Sequence, residues 1–133
     1  MLDNQQDHTK IITIESDATA KDAAAVMMKH RVGCLIVNDS DGRFAGVLSE
    51  RDIVSRVLAP LKDVQSTTVA DIMTTQIVTC SPDTPSSEAR KMMAANKIRH
   101  LPIVENGQVV GMLSARDLMG QQLMEDRAAA EEV

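Results

Sequence analysis

Short apolar runs suited to strands alternate along this chain with stretches of helical spacing, and the whole succession occurs twice. Ile11–Ile14 and Ile77–Cys80 each open a copy as a short strand. A polar turn follows, rich in the Ser, Asp and Thr that cap helix starts. Ala20, Ala23, Ala24, Met27 and Met28 then fall on one helical face, as do Ala89, Met92 and Met93 in the second copy. Two hairpins are predicted, Cys34–Asn38 with Phe44–Leu48 and His100–Val104 with Val109–Leu113. Asn106-Gly107 suits a tight hairpin turn, because both residues tolerate positive φ. A second helix starts at Ser49 and again at Ser114. The order β-α-β-β-α, twice, predicts an α+β fold of two pseudo-symmetric repeats.

The repeat is visible residue by residue. With Thr13–Val54 set against Thr79–Met119 and one residue dropped from the second copy, Asp17 meets Asp83, Ala23 meets Ala89, Met27 meets Met93 and Leu35 meets Leu101. The gap falls in the turn after Asn38 and Val104, where a loop tolerates length changes. Beyond it, Gly46-Val-Leu-Ser-Glu-Arg-Asp52 overlays Gly111-Met-Leu-Ser-Ala-Arg-Asp117.

Each copy has roughly 55–60 residues, too few for a comfortable core alone, so the halves are expected to pack on each other. The divisions expected are residues 1–58 for the first repeat, 59–68 for a linker, 69–124 for the second repeat and 125–133 for a helical tail. Val69–Met73 is predicted as a short helix leading into the second copy, with no equivalent before the first.

Composition narrows the function. The 133 residues carry 14 Lys and Arg against 19 Asp and Glu, a net charge of −5, and the only aromatic residue is Phe44. Without a basic face or stacking platforms, nucleic acid is a poor partner. No apolar run approaches the roughly 20 residues of a membrane span. The polar N-terminus lacks a signal peptide's apolar stretch, and the two cysteines, Cys34 and Cys80, sit in apolar strand-like segments. A cytoplasmic location with two reduced thiols is expected, a disulfide between them being the alternative. Three scattered histidines (His8, His30, His100) and no Cys-x-x-Cys give no metal site. A nucleophile elbow, a His-Glu-x-x-His, a Walker loop and a Gly-rich dinucleotide turn are all missing, so no catalytic residue is assigned and an enzyme is not expected.

The duplicated Gly-apolar-Leu-Ser-x-Arg-Asp segment carries the chemistry, and two readings stand side by side. Ser49 with Asp52, and Ser114 with Asp117, match a capping box, which needs no ligand. Arg51 and Arg116, however, place a cation in the first helical turn, where the helix dipole disfavours it. Arg, a hydroxyl and free amides suit a phosphate, and Asp suits a sugar diol. A structural alternative pairs Arg51 with Asp52 or Glu50.

On these motifs, together with Val69-Ala-Asp-Ile-Met73 and Lys97-Ile-Arg-His-Leu-Pro-Ile-Val104, the chain over about residues 11–123 resembles a tandem pair of CBS domains, the Bateman module. The resemblance implies a disc-like, stand-alone regulatory module. Its clefts between the repeats would take adenosine-containing ligands: AMP, ADP, ATP, S-adenosylmethionine and in some members NAD. Carried over, Asp52 and Asp117 would hold ribose hydroxyls, with Ser49 and Ser114 near ribose or phosphate. Thr13, Ile14, Thr79 and Cys80 would flank the adenine, and Arg99 and His100 would face phosphate. The first copy departs there, with Gly33 and Cys34 in those places and Ile36 where the second has Pro102. The resemblance also implies a homodimer and a regulated partner protein. Apolar stripes late in the second helices, Ile53, Val54, Val57 and Leu58 in one and Leu118, Met119 and Leu123 in the other, are the candidate contact. A ligand-free interaction module and a nucleotide-processing enzyme are the rival readings.

Overall fold

The structure is a computed structural model that describes residues 11–120. His8, Leu123 and the tail expected over 125–133 lie outside the described residues. Two compact units emerge, Ile11–Ile77 and the chain from Val78 onward.

In the first unit, β1 (Thr13–Glu15) pairs in parallel with β2 (Cys34–Asn38), which pairs antiparallel with β3 (Phe44–Ser49), in the sheet order β1-β2-β3. Helix α1 (Ala20–His30) makes the crossover. It starts on a complete capping box between Thr19 and Asp22 and ends on Arg31 in the left-handed region. The stripe that α1 buries is Ala20, Ala23 and Met27. Ala24 and Met28, expected on the same face, are exposed, Met28 to 81%. Helix α2 (Glu50–Ile53) follows β3 and widens into a π-helical turn at Val54–Leu58. Ile14, Leu35, Val37, Leu48, Ile53 and Val57 form the core with the α1 stripe.

The connection differs from the expectation. Helix α3 (Val69–Ile72), expected to lead into the second copy, buries Val69 and Ile72 in the core of the first. The stretch expected as a linker is stitched to the same unit. Thr67 and Val64 accept the free amides of Ala20 and Lys21 at the start of α1, at 2.8 and 3.0 Å. The amides of Val69 and Ala70 donate to Ala18 and Ser16. Thr74 then closes a two-way bridge with Val47, its amide donating at 2.9 Å and its carbonyl accepting at 3.0 Å. The first copy, which has no lead-in helix before it, is thus covered by residues 69–74.

The second unit repeats the plan with one loss. Helix α4 (Ser86–Asn96), the hairpin of β4 (His100–Glu105) and β5 (Gln108–Ser114), and helix α5, described over 115–120, match their counterparts. Asn106 and Gly107 take φ of 53° and 78°, as their turn requires. The core is Cys80, Ala89, Met93, Leu101, Ile103, Leu113 and Leu118. The first strand, however, shrinks to a single parallel bridge between Cys80 and Ile103. In the first unit Ile36 donates to Ile12 at 3.0 Å. Pro102 stands in the matching place and has no amide, so that rung cannot form.

Candidate functional site

Both duplicated segments fold as complete capping boxes. Ser49 Oγ accepts from the Asp52 amide at 3.1 Å, and Asp52 Oδ2 accepts from the Ser49 amide at 2.9 Å. Ser114 and Asp117 repeat the geometry, at 3.1 Å in both directions. The capping reading is therefore correct as far as it goes. Each box uses one carboxylate oxygen, leaving the other for a further donor.

The surroundings of the two carboxylates differ. Asp52 is buried, and Thr74 Oγ1 lies 3.4 and 3.5 Å from its two oxygens. Arg56 Nε lies 3.9 Å from Oδ1. Neither Thr74 nor Arg56 was singled out from the sequence, although Arg56 stands one helical turn after Asp52, at the spacing where side chains meet. Arg51, the cation that the sequence did single out, is exposed, and among the described residues the ion pair on Asp52 comes from Arg56 instead. Asp117 is half-buried and Arg116 exposed. The cap of the second box uses Asp117 Oδ2.

Strand ends gather the remaining candidates. Cys34 sits opposite Ser49, and Gly33 accepts the Glu50 amide at 2.9 Å. In the second unit His100 sits opposite Ser114, and Arg99 accepts the Ala115 amide at 2.8 Å. Arg99, His100 and Ser114 therefore stand together at one end of the hairpin, with the exposed Arg116 two residues further on in α5, while Cys80 runs beside Pro102 and Ile103. Thr13 is exposed and Ile14 buried in β1; Thr79 is half-buried, and Cys80 and Pro102 are buried. Burial pushes the Cys34 thiol up to about 12, with the charge of Asp52 adding to the effect. Burial alone pushes Cys80 up to about 11. Both are free thiols, so the disulfide alternative falls.

The described residues hold no cluster of metal-ligating side chains and no helix long and apolar enough to cross a membrane. An open apolar groove of about 320 Å³ is lined by Arg90, Met93, Ala115, Leu118 and Met119.

A family model described as "CBS domain" matches residues 7–59 and again 69–123, covering both boxes. The chain belongs to the CBS-domain family. It is a tandem CBS pair, and the resemblance read from Gly46–Asp52 and Gly111–Asp117 was to the right family. The matched segments follow the sequence repeat, whereas packing assigns residues 69–77 to the first unit. The CBS domain-containing protein YhcV of Bacillus subtilis is 34% identical over 122 residues, covering 92% of this chain and 86% of that protein. Longer relatives from Arabidopsis thaliana match too, and the chain spans between 19% and 23% of those it matches at 32–36% identity. Among solved structures, a candidate signal-transduction protein with CBS domains from Burkholderia ambifaria MC40-6 superposes with a TM-score of 0.84. It is 28% identical, over 88% of this chain and 85% of that one. The hexameric CBS-CP12 protein of bloom-forming cyanobacteria superposes with a TM-score of 0.76 at 27% identity, over 84% of this chain and 65% of that one.

Proposed function

We propose that this CBS pair is a cytoplasmic, non-catalytic regulatory module that binds an adenosine-containing ligand and signals the binding to a partner protein. AMP, ADP and ATP are the first candidates, with NAD and S-adenosylmethionine behind them. The observation that carries the reading is the twice-built Ser-x-x-Asp box, whose carboxylate is only half used by the cap. A buried or half-buried carboxylate with spare lone pairs suits the paired O–H donors of a ribose. In this reading Asp52 and Asp117 hold ribose, and Ser49 and Ser114 lie near ribose or phosphate. Thr13, Ile14, Thr79 and Cys80 flank the base, and Arg51, Arg116, Arg99 and His100 supply positive charge, with Pro102 in the wall. The Burkholderia neighbour's description as a candidate signal-transduction protein supports the regulatory role.

A ligand shifts a regulator only by its differential affinity for two arrangements, so the output is a change of shape or assembly. Assembly as a homodimer belongs to the same reading and is in keeping with the hexameric neighbour. Mass spectrometry of small molecules released from the purified protein tests it, with thermal shifts in AMP, ADP and ATP beside it. A native-state ligand at about a hundredfold its Kd adds about 2.7 kcal/mol and raises the melting temperature. No released ligand and no shift with any of them would leave a ligand-free interaction module.

A further inference from the structure

Residues 69–74 are held in the first unit by the burial of Val69 and Ile72 and by backbone bonds to Ser16, Ala18 and Val47, and at their C-terminal end by side-chain contacts that converge on the Asp52 carboxylate. Arg56 reaches both partners. Its Nη1 donates to the carbonyls of Ile72 and Met73 at 3.0 and 3.1 Å, while its Nε faces Asp52 Oδ1 at 3.9 Å. Thr74 Oγ1 shares its proton between the two oxygens of Asp52, at 3.4 and 3.5 Å. That is a long three-centre bond, easily exchanged for a better donor. The Thr74 backbone is pinned separately by its bridge to Val47. Thr75, Gln76 and Ile77 alone separate Thr74 from Val78, where the second unit begins.

We propose that Met73 and Thr74, at the end of this segment, form a latch keyed to the Asp52 carboxylate: engaging or neutralising that carboxylate loosens these two residues while Val69 and Ile72 stay buried, and the loosening passes along the chain into the second unit. What engages Asp52 rests on the nucleotide reading of the same site. A ribose diol donates to the oxygens that Thr74 now occupies and competes with Arg56 for Oδ1, loosening the guanidinium that donates to the Ile72 and Met73 carbonyls. By linkage, whatever loosens the latch then alters the affinity at Asp52. In the second repeat the residue four places after Asp117 is Gln121, not a cation, so the keyed arrangement is a property of the first.

Amide hydrogen exchange on the full chain tests the latch. Asp52→Asn and Arg56→Gln are expected to speed exchange at the Thr74 and Met73 amides by about tenfold or more, the scale of one charged hydrogen bond. Ser49→Ala, which removes the cap but keeps the carboxylate, leaves them near the wild-type rate. Gly46→Ala displaces the Thr74 carbonyl by steric contact and shows what a free segment looks like. Wild-type protein saturated with AMP or ATP is expected to move toward that behaviour, with faster exchange at Cys80 as well. Unchanged Thr74 exchange in Asp52→Asn and Arg56→Gln, with a clear rise in Gly46→Ala, overturns the latch even if nucleotide binds. Nucleotide binding that slows or leaves Thr74 exchange also overturns it. Faster exchange in both charge variants without any nucleotide binding supports the latch and removes the nucleotide reading. Should Asp52→Asn fail to fold, Arg56→Gln decides alone.

Discussion

The carbonyl oxygen of Thr74 lies 2.7 Å from the point where a Cβ on Gly46 would stand, with Met73 Sδ at 3.0 Å. The obstacle is backbone, held by the Val47 bridge, so it cannot swing away as a flexible side chain would. The first glycine of the repeated segment is therefore explained by the residues that cross over it. Gly46→Ala is expected to destabilise the protein by about 1–3 kcal/mol, the usual range for overpacking. Urea denaturation checks this; an unchanged midpoint would show that residues 73–74 are not held where the bridge puts them.

The two box aspartates separate the cap from the ligand. Ser114→Ala removes the hydroxyl that caps α5 and is expected to lower stability by about 1 kcal/mol. Asp117→Ala and Asp52→Ala each remove a carboxylate as well, and are expected to weaken adenosine-ligand binding by about 1.5–3 kcal/mol. Titration calorimetry on the variants reads the difference. Equal affinity in wild type and both Asp variants, with only a stability loss of capping size, assigns the motif to helix capping alone.

Much of this was legible because the chain says it twice. The hairpins, the helix starts at Ser49 and Ser114, and the Asn106-Gly107 turn rest on local chemistry, and local chemistry is readable from the residues. What was not legible is what a distant segment decides. Sequence order places Val69–Met73 in the repeat it precedes, as the family match also does, yet the apolar Val69 and Ile72 are buried in the core of the first unit. Arg56 was readable from its spacing one helical turn after Asp52, whereas Thr74 escaped notice because it stands 22 residues after Asp52 and meets it only through the fold. Met28 was over-read, since an apolar residue at the stripe's edge need not be covered within the chain. The missing strand at 77–79 was readable in principle, from Pro102 alone.

The hairpin end of the second unit offers cations that the first does not. Arg99 is exposed beside the start of α5, and Gly33 holds the matching place. Arg99→Ala is expected to weaken ATP binding more than adenosine binding, because the lost guanidinium meets only the phosphates. Equal losses for both ligands in competition titrations would remove Arg99 from phosphate recognition.

The thiols yield a pH prediction. Burial pushes the Cys34 and Cys80 thiols in the folded chain up from an ordinary 9.0 to about 12 and about 11. A raised folded pKa means the native state keeps its proton while the unfolded chain loses it, so stability is full below pH 9 and falls as pH rises toward 11 and 12. Replacing Cys34 by Ala is expected to flatten that alkaline decline, as followed by denaturation midpoints between pH 8 and 11. A thiol reagent at pH 8 should label neither cysteine in the native protein and both after unfolding, because only the thiolate attacks. Rapid native labelling would place the thiols outside the core.

The stripes expected to form a dimer contact divide between two roles. Ile53, Val57 and Leu118 are buried within their own units, whereas Val54, Leu58 and Met119 are exposed to 56%, 52% and 64%. The exposed residues are free to meet a second copy. In the second unit Met119 borders the open groove, where Arg90 Nη1 is buried without a hydrogen-bond partner among the described residues. A twofold contact is self-complementary, so a single substitution acts on both sides of it at once. Leu58→Glu and Met119→Glu together are expected to convert a dimer to monomer while leaving the melting transition cooperative, because neither side chain is buried in the chain's own core. Sedimentation at micromolar concentration gives the masses. A wild-type mass of one chain, with and without nucleotide, rules out the dimer, and a dimer that survives both substitutions moves its contact elsewhere.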